Sequence, residues 1–210
     1  MYNGKVYDIS IDIKDDMLNF PGDTKTKKET IKKIKNDGYK LSNIKFSVHV
    51  GTHVDAPSHF IEDGNNIKDV NLNEFIGKAQ VIEIDDQKKI TKSELSKHKI
   101  NHDKILFKTK NSDHLNEIEF YDDFVYLTYE GAKYLVENGV KLIGIDYITI
   151  EDLKTTSFDV HNFLLENDVI ILEGINLSDI KPGLYNLSAL PLKLIDSEAS
   201  PVRAILTEIK

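Results

Sequence analysis

Two short apolar runs, "VKLIGID" at residues 140 to 146 and "VIILEGI" at 169 to 175, set the tightest limit on how this 210-residue chain folds. Both are short, apolar and bounded by turn formers, so each reads as a buried strand. Ahead of the first run, Thr128 can cap a helix bearing Ala132, Leu135 and Val136, and Gly139 can end it. A second short helix is expected over residues 158 to 166, between the runs. Strands that alternate with few helices point to an α/β fold with a mixed, β-rich sheet.

The remaining elements are read in the same way. Residues 5 to 13 and 44 to 56 are expected as strands, with the turn "FPGDT" (20 to 24) between them. "KTKKETIKKIK" (25 to 35) reads as a solvated strand face. A short polar surface helix is expected after Thr91, whose N-cap is paired with Glu94 three residues on as a capping box. "KILFKT" is a further strand, residues 111 to 123 a loop, and "SPVRAILTEI" (200 to 209) one closing strand. No repeat, low-complexity tract or linker interrupts the chain, so residues 1 to 210 are expected as a single domain.

Composition narrows the function. A net charge of -8 argues against nucleic acid or an anionic membrane surface as partner. No apolar run approaches the roughly 18 residues of a membrane span. The absence of cysteine excludes disulfides, thiolate metal sites and a cysteine nucleophile, and it fits a reducing compartment. The N-terminal segment alternates from Val6 as a strand does and lacks the continuous apolar region of an export signal, so the cytoplasm is the expected location.

The chemistry concentrates in "SVHVGTHVDAPSHF", residues 47 to 60. Alternate side chains of an extended chain share a face. The odd positions carry His49, Gly51, His53, Asp55, Pro57 and His59, while the even ones are mainly apolar. Solvent-facing strands of this lysine-rich chain would use lysine, glutamate, threonine or serine instead. Neutral imidazoles and a carboxylate at even spacing suit zinc, manganese or iron, so His49, His53 and Asp55 are candidate metal ligands. Pro57 should end or bulge the strand, which leaves His59 beside the site as a candidate acid or base. Downstream, Glu173 interrupts an otherwise apolar strand, where a carboxylate must be protonated, paired or metal-bound unless it lies at a solvated strand end. His161 is either an ordinary helix histidine or, with Glu173, a completion of the ligand set. His98, His102 and His114 read as surface residues.

"HVGTHVDAPSHF" resembles the His-x-Gly-Thr-His-x-Asp-x-Pro-x-His motif of the metal-dependent cyclase family, whose best-known members are bacterial kynurenine formamidases. The likeness continues through "FPGDT", "GVKLIGID", "HNFLLENDVIILEGINL", "ALPLKL" and "SPVRAIL" in the expected order. It implies a mixed α/β fold of the swivelling β/β/α type and two divalent metal ions per subunit, zinc first, with manganese, iron or cobalt acceptable. His49, His53 and Asp55 would hold one ion and His161 the other, with Asp55 and Glu173 bridging and His59 as catalytic acid/base. A homodimer or higher homo-oligomer is also implied.

The activity expected from the resemblance is metal-dependent amide hydrolysis. The leading substrate is N-formyl-L-kynurenine, cleaved to kynurenine and formate as by an arylformamidase, with water ionised near neutral pH as the attacking group. Isatin or another amide or lactam is the alternative, and a non-catalytic metal- or small-molecule-binding protein is a second class. Formamidases tend to carry tryptophan where Phe20 stands in the substrate-facing loop. Phenylalanine still stacks but lacks the indole N–H. "DYITIEDL" (146 to 153) also departs from the small turn containing serine and proline that formamidases more often carry there.

Overall fold

The structure, a computed structural model, describes residues 4 to 85 and 88 to 209. In chain order the strands are β1 (Val6–Asp8), β2 (Lys27–Lys32), β3 (Leu41–Lys45), β4 (His53–Asp55), β5 (Ile76–Glu83), β6 (Lys89–Ile90) and β7 (Lys104–Lys108). They continue as β8 (Tyr126–Leu127), β9 (Leu142–Ile145), β10 (Ile170–Glu173), β11 (Gly183–Ser188), β12 (Ala199–Pro201) and β13 (Ile205–Glu208). The helices are α1 (Ile34–Asp37), α2 (Lys92–Leu95), α3 (Tyr129–Glu137) and α4 (Asp159–Glu166).

Nine strands form one mixed sheet in the order β1-β13-β11-β5-β7-β9-β10-β4-β12. The centre, β5-β7-β9-β10, is parallel, and the flanking pairs are antiparallel. Both apolar runs lie in that parallel centre and are buried on both faces, as their composition requires. Ile105, Phe107, Ile143, Ile145 and Ile171 point to one face, where they meet Leu95 of α2, Leu135 of α3 and Leu164 of α4. Leu106, Leu142, Ile170 and Leu172 alternate with them and pack on the other face against Val54, Phe75, Leu187 and Leu206. This is the period of two expected of strands between two layers.

The sheet is rolled rather than flat. β12 and β13 are separated by seven strand intervals, about 34 Å in a flat sheet at ~4.8 Å each. Only residues 202 to 204 connect them, and the four steps from Pro201 to Ile205 reach at most about 14 Å. A bridge from Ser10 to Ile175 and a hydrogen bond from Ile11 N to Thr52 Oγ1 (2.9 Å) bring the chain just past β1, one edge of the sheet, against the ends of β10 and β4 near the other. The single closing strand expected over 200 to 209 is therefore two strands, divided where Pro201 ends one ladder and the chain crosses to the other. No helix among the described residues is long and apolar enough to cross a membrane.

The local caps follow the sequence. Thr128 Oγ1 accepts from Gly131 N, and Gly139 follows α3 at φ +78°. Thr91 Oγ1 accepts from Glu94 N, although the Glu94 carboxylate turns to Lys97 instead of closing the capping box. β2 and β3 stand apart as an exposed two-stranded arm. The expected loop at 111 to 123 begins as a short 3-10 turn, Lys110–His114. The strand expected over 5 to 13 is short, continued only by the bridge at Ser10.

The expected strand at 44 to 56 is also broken. It ends at Lys45, turns with Val50 N donating to Ser47 O (3.0 Å), and resumes at His53. Gly51, at φ +63°, accounts for the break, because an extended strand cannot pass through that conformation.

Candidate metal centre

The site lies on the helix-covered face of the sheet, where β10 and β4 run antiparallel. Glu173 lies opposite His53 and Ile171 opposite Asp55, so all four side chains share that face. Ile171 belongs to the core beneath α4, and Glu173 continues its row beyond that core. Val54 and Leu172, at the intervening positions, bury in the opposite layer. α4 crosses this face and brings His161 Nε2 to 3.5 Å from Glu173 Oε1.

His49 comes from the turn before β4, not from a shared strand face. Its Nδ1 is 3.0 Å from Asp55 Oδ1, and its Nε2 is 3.7 Å from Glu198 Oε1. His53 Nδ1 faces the Gly51 carbonyl at 3.0 Å, a contact that requires the proton on Nδ1. His53 Nε2 is the other ring nitrogen, 3.6 Å from Asp55 Oδ1 and 3.3 Å from Glu173 Oε2. His59 ends a 3-10 turn begun by Pro57 and lies over His49, with ring centroids 4.3 Å apart.

These residues fit a divalent cation. His53 Nε2 and both Asp55 oxygens are buried and make no hydrogen bond of good geometry, the 3.0 Å approach of His49 Nδ1 to Asp55 Oδ1 being an ion-pair contact. Orphaned polar atoms of this kind cost several kcal/mol unless something binds them. Two triads, His49–Asp55–His59 and His53–Asp55–Glu173, each offer ligand atoms within 4.8 Å of one another and share Asp55. Imidazole nitrogens and carboxylate oxygens are the donor set of zinc, manganese, iron or cobalt. Glu173, only 3% exposed, is not at a solvated strand end.

The local field is strong. Burial opposes a charged His49, but the Asp55 carboxylate, together with Glu173 and Glu198, outweighs it and raises His49 to about 9. His161 is likewise opposed by burial, yet Glu151 and Glu173 carry it to about 10. Burial works against ionised Asp55 and Glu173, and the surrounding imidazoles hold both below the usual carboxylate range. His59 moves down, through burial first and then the nearby His49 and His161, against the pull of Asp55.

The pocket above these groups measures about 210 Å³. Phe20, Phe60, Ile148 and Phe158 form its apolar walls, and Asp23 also lines it. Phe20 is braced edge-on by Phe120 at 6.2 Å. The structure thus gathers all six expected polar site residues and places Phe20 in the wall. His98, His102 and His114 do not line it. Sequence reasoning missed Glu198, Glu151, Phe60 and Phe158. Glu198 and Glu151 sit in polar turns without a motif, and the wall positions of the two phenylalanines depend on tertiary packing.

Comparison with known proteins places the chain in a family. The Cyclase family model matches residues 7–152. A kynurenine formamidase from Bacillus anthracis is 34% identical over 211 residues, covering 100% of both chains. A solved structure described as a predicted metal-dependent hydrolase from Bacillus stearothermophilus is 31% identical, with a TM-score of 0.86 over 99% of this chain and 100% of that one. Isatin hydrolase A from Ralstonia solanacearum shares the fold, with a TM-score of 0.87 at 21% identity over 99% of this chain and 93% of that one. With a family match that contains the histidine motif and a relative that aligns end to end, this chain belongs to the Cyclase family.

Proposed function

We propose that this chain is a metal-dependent amide hydrolase whose substrate is an aryl formamide, N-formyl-L-kynurenine first. The observation that carries the reading is the set of buried, unbonded ligand atoms on His53 and Asp55 beneath an aromatic-walled pocket. The full-length likeness to a kynurenine formamidase supports the substrate class. The fold shared with isatin hydrolase A supports a second reading in which the substrate is isatin or another lactam, and Phe20, which lacks the indole N–H of tryptophan, leaves that choice open.

His49, His53 and Asp55 would hold one ion and His161 the other, with Asp55 and Glu173 shared. Bound divalent ions, zinc first, would supply a Lewis acid and a water of lowered pKa. The chain's own residues do the rest. Phe20, Phe60 and Phe158 would stack on the aromatic ring and exclude water from the reacting carbonyl. His59, kept neutral by burial, would take a proton at a ring nitrogen and return it to the leaving amine. We also propose a cytoplasmic location and a homo-oligomer packed through the β2–β3 arm, where Ile31, Ile34, Tyr39 and Ile44 are exposed. Light scattering would read the oligomer, and a monomer at micromolar concentration would refute it.

The test is a hydrolysis screen of zinc-, manganese- and cobalt-loaded protein on N-formylkynurenine, isatin, simple formanilides and lactones, alongside metal analysis. Formamide turnover that chelation abolishes is expected. Metal uptake without turnover of any of the four classes would refute the enzyme reading, and no uptake would refute the metal centre.

A further inference from the structure

Glu151 has no part in the reading above, yet it is a buried carboxylate aimed at one of the proposed ligands. It is 5% exposed. Its Oε1 accepts from Val160 N at 3.0 Å, and its Oε2 accepts from His161 N at 3.2 Å and faces His161 Nδ1 at 2.7 Å. The N-cap position of α4 is Phe158, which offers no side-chain cap. Glu151, seven residues before that position, fills the role and holds the imidazole through Oε2.

The consequence is directional. A carboxylate only accepts hydrogen bonds, so a ring nitrogen 2.7 Å from it must carry the proton. When His161 is neutral its lone pair is therefore on Nε2, the nitrogen that faces Glu173 at 3.5 Å. The adjacent residue acts on the other side of the site, where Ile150 N donates to Glu173 Oε1 at 2.7 Å. One short turn thus fixes both the helix ligand and the strand ligand. A glutamine could not reproduce this: three donors converge on two acceptor oxygens, and one of those would become an NH₂ group.

We infer that Glu151 is a positioning residue that locks His161 in the Nδ1–H form and presents Nε2 to a divalent ion. The inference rests on the metal reading proposed above. Outer partners of ligating imidazoles commonly change metal affinity by ~10–100-fold, which sets the expected effect.

The experiment is a zinc titration against a chromophoric chelator on the parent, Glu151→Gln, His161→Ala and the double variant, with nitrogen-15 spectra of the zinc-loaded parent. Glu151→Gln is expected to weaken the more loosely held zinc by ~10–100-fold in the parent background and by less than about twofold in the His161→Ala background. The parent spectrum is expected to show His161 protonated at Nδ1 and zinc-bound at Nε2. Equal losses in both backgrounds would show that Glu151 acts only by capping α4 and would overturn the inference. Zinc at Nδ1, or unchanged affinity in Glu151→Gln, would also overturn it while leaving the metal reading intact. No zinc on the parent would overturn both. If His161→Ala fails to fold, the spectrum and the parent–Glu151→Gln comparison still decide.

Discussion

Replacing Gly174 by alanine tests whether a single backbone contact assembles the site. Gly174 follows Glu173 at φ +68°, and an added Cβ would lie 2.3 Å from the Gly51 carbonyl oxygen and 2.9 Å from its carbon. Gly51 in turn lies between His49 and His53, and Thr52 Oγ1 donates to Gly174 O at 2.6 Å. The left-handed backbone alone costs a non-glycine residue ~1–2 kcal/mol. Crowding against backbone that cannot rotate away adds ~1–3 kcal/mol, for a total of about 2–5 kcal/mol. Gly139→Ala is the matched control, because its φ is +78° and nothing lies within 4 Å of the added Cβ. It should cost only the first ~1–2 kcal/mol. In urea unfolding with a slope of about 2–3 kcal/mol/M, the Gly174→Ala midpoint should fall by roughly 0.7–2.5 M and that of Gly139→Ala by roughly 0.3–1 M. Because relief of the clash pushes Gly51 away from Gly174, zinc affinity should fall in Gly174→Ala alone. Equal midpoints and equal zinc affinities in the two variants would show that the contact relaxes freely, and the reasoning would be wrong.

His59→Ala should keep its metal and lose turnover by ~10²–10⁴-fold; loss of metal instead, read by metal analysis, would place His59 among the ligands, as its grouping with His49 and Asp55 permits. Glu173→Gln should fold, since the Ile150 N–H can still be accepted, but should retain less metal on dialysis; full occupancy would remove Glu173 from the ligand set. The metal-free protein should have a bounded range of greatest stability. His49 and His161, raised to about 9 and about 10 from 6.5, contribute stability that is complete below about pH 6.5 and is lost as pH rises through those values. Asp55 and Glu173, lowered from 3.8 and 4.5, contribute stability that is complete above those values and is lost on acidification. Thermal midpoints should therefore be greatest near pH 5–6.5 without metal and should not decline towards pH 9 when zinc is bound; a flat metal-free profile would contradict the charge arrangement.

The parts of the molecule that were legible in the sequence are those in which local chemistry and tertiary context agree. The two apolar runs could only be covered strands, and Thr128 and Gly139 bracket α3 by their own backbone preferences. The histidine cluster was legible because imidazoles and a carboxylate have no ordinary use on a strand beside apolar neighbours. Its geometry was not legible, because a smooth alternation from 49 to 59 hides the turn at Gly51. The division of the last strand was hidden as well, since it follows from the roll of the sheet rather than from residues 200 to 209. Glu151 was invisible for a third reason: three donors reach it from nine or ten residues away, and a lone glutamate in a polar turn shows nothing of them.

What aims the ligands is apolar. β4 has only three residues, and its side chains must alternate between the helix layer and the opposite layer. Val54 and the neighbouring Ala56 are wholly buried in that opposite layer. Burying a valine contributes ~1.5–3 kcal/mol, and a slip of one residue would bring His53 and Asp55 to the opposite face in its place. The slipped register would then carry two polar groups into an apolar layer at several kcal/mol each. The register that seats Val54 is thus the one that turns the imidazole and carboxylate towards Glu173 and His161. Val54→Thr, which leaves a hydroxyl without a partner in that layer, should lower stability and metal affinity together although residue 54 touches no ion. A variant that loses stability while zinc affinity stays at the parent value would separate the register from the site.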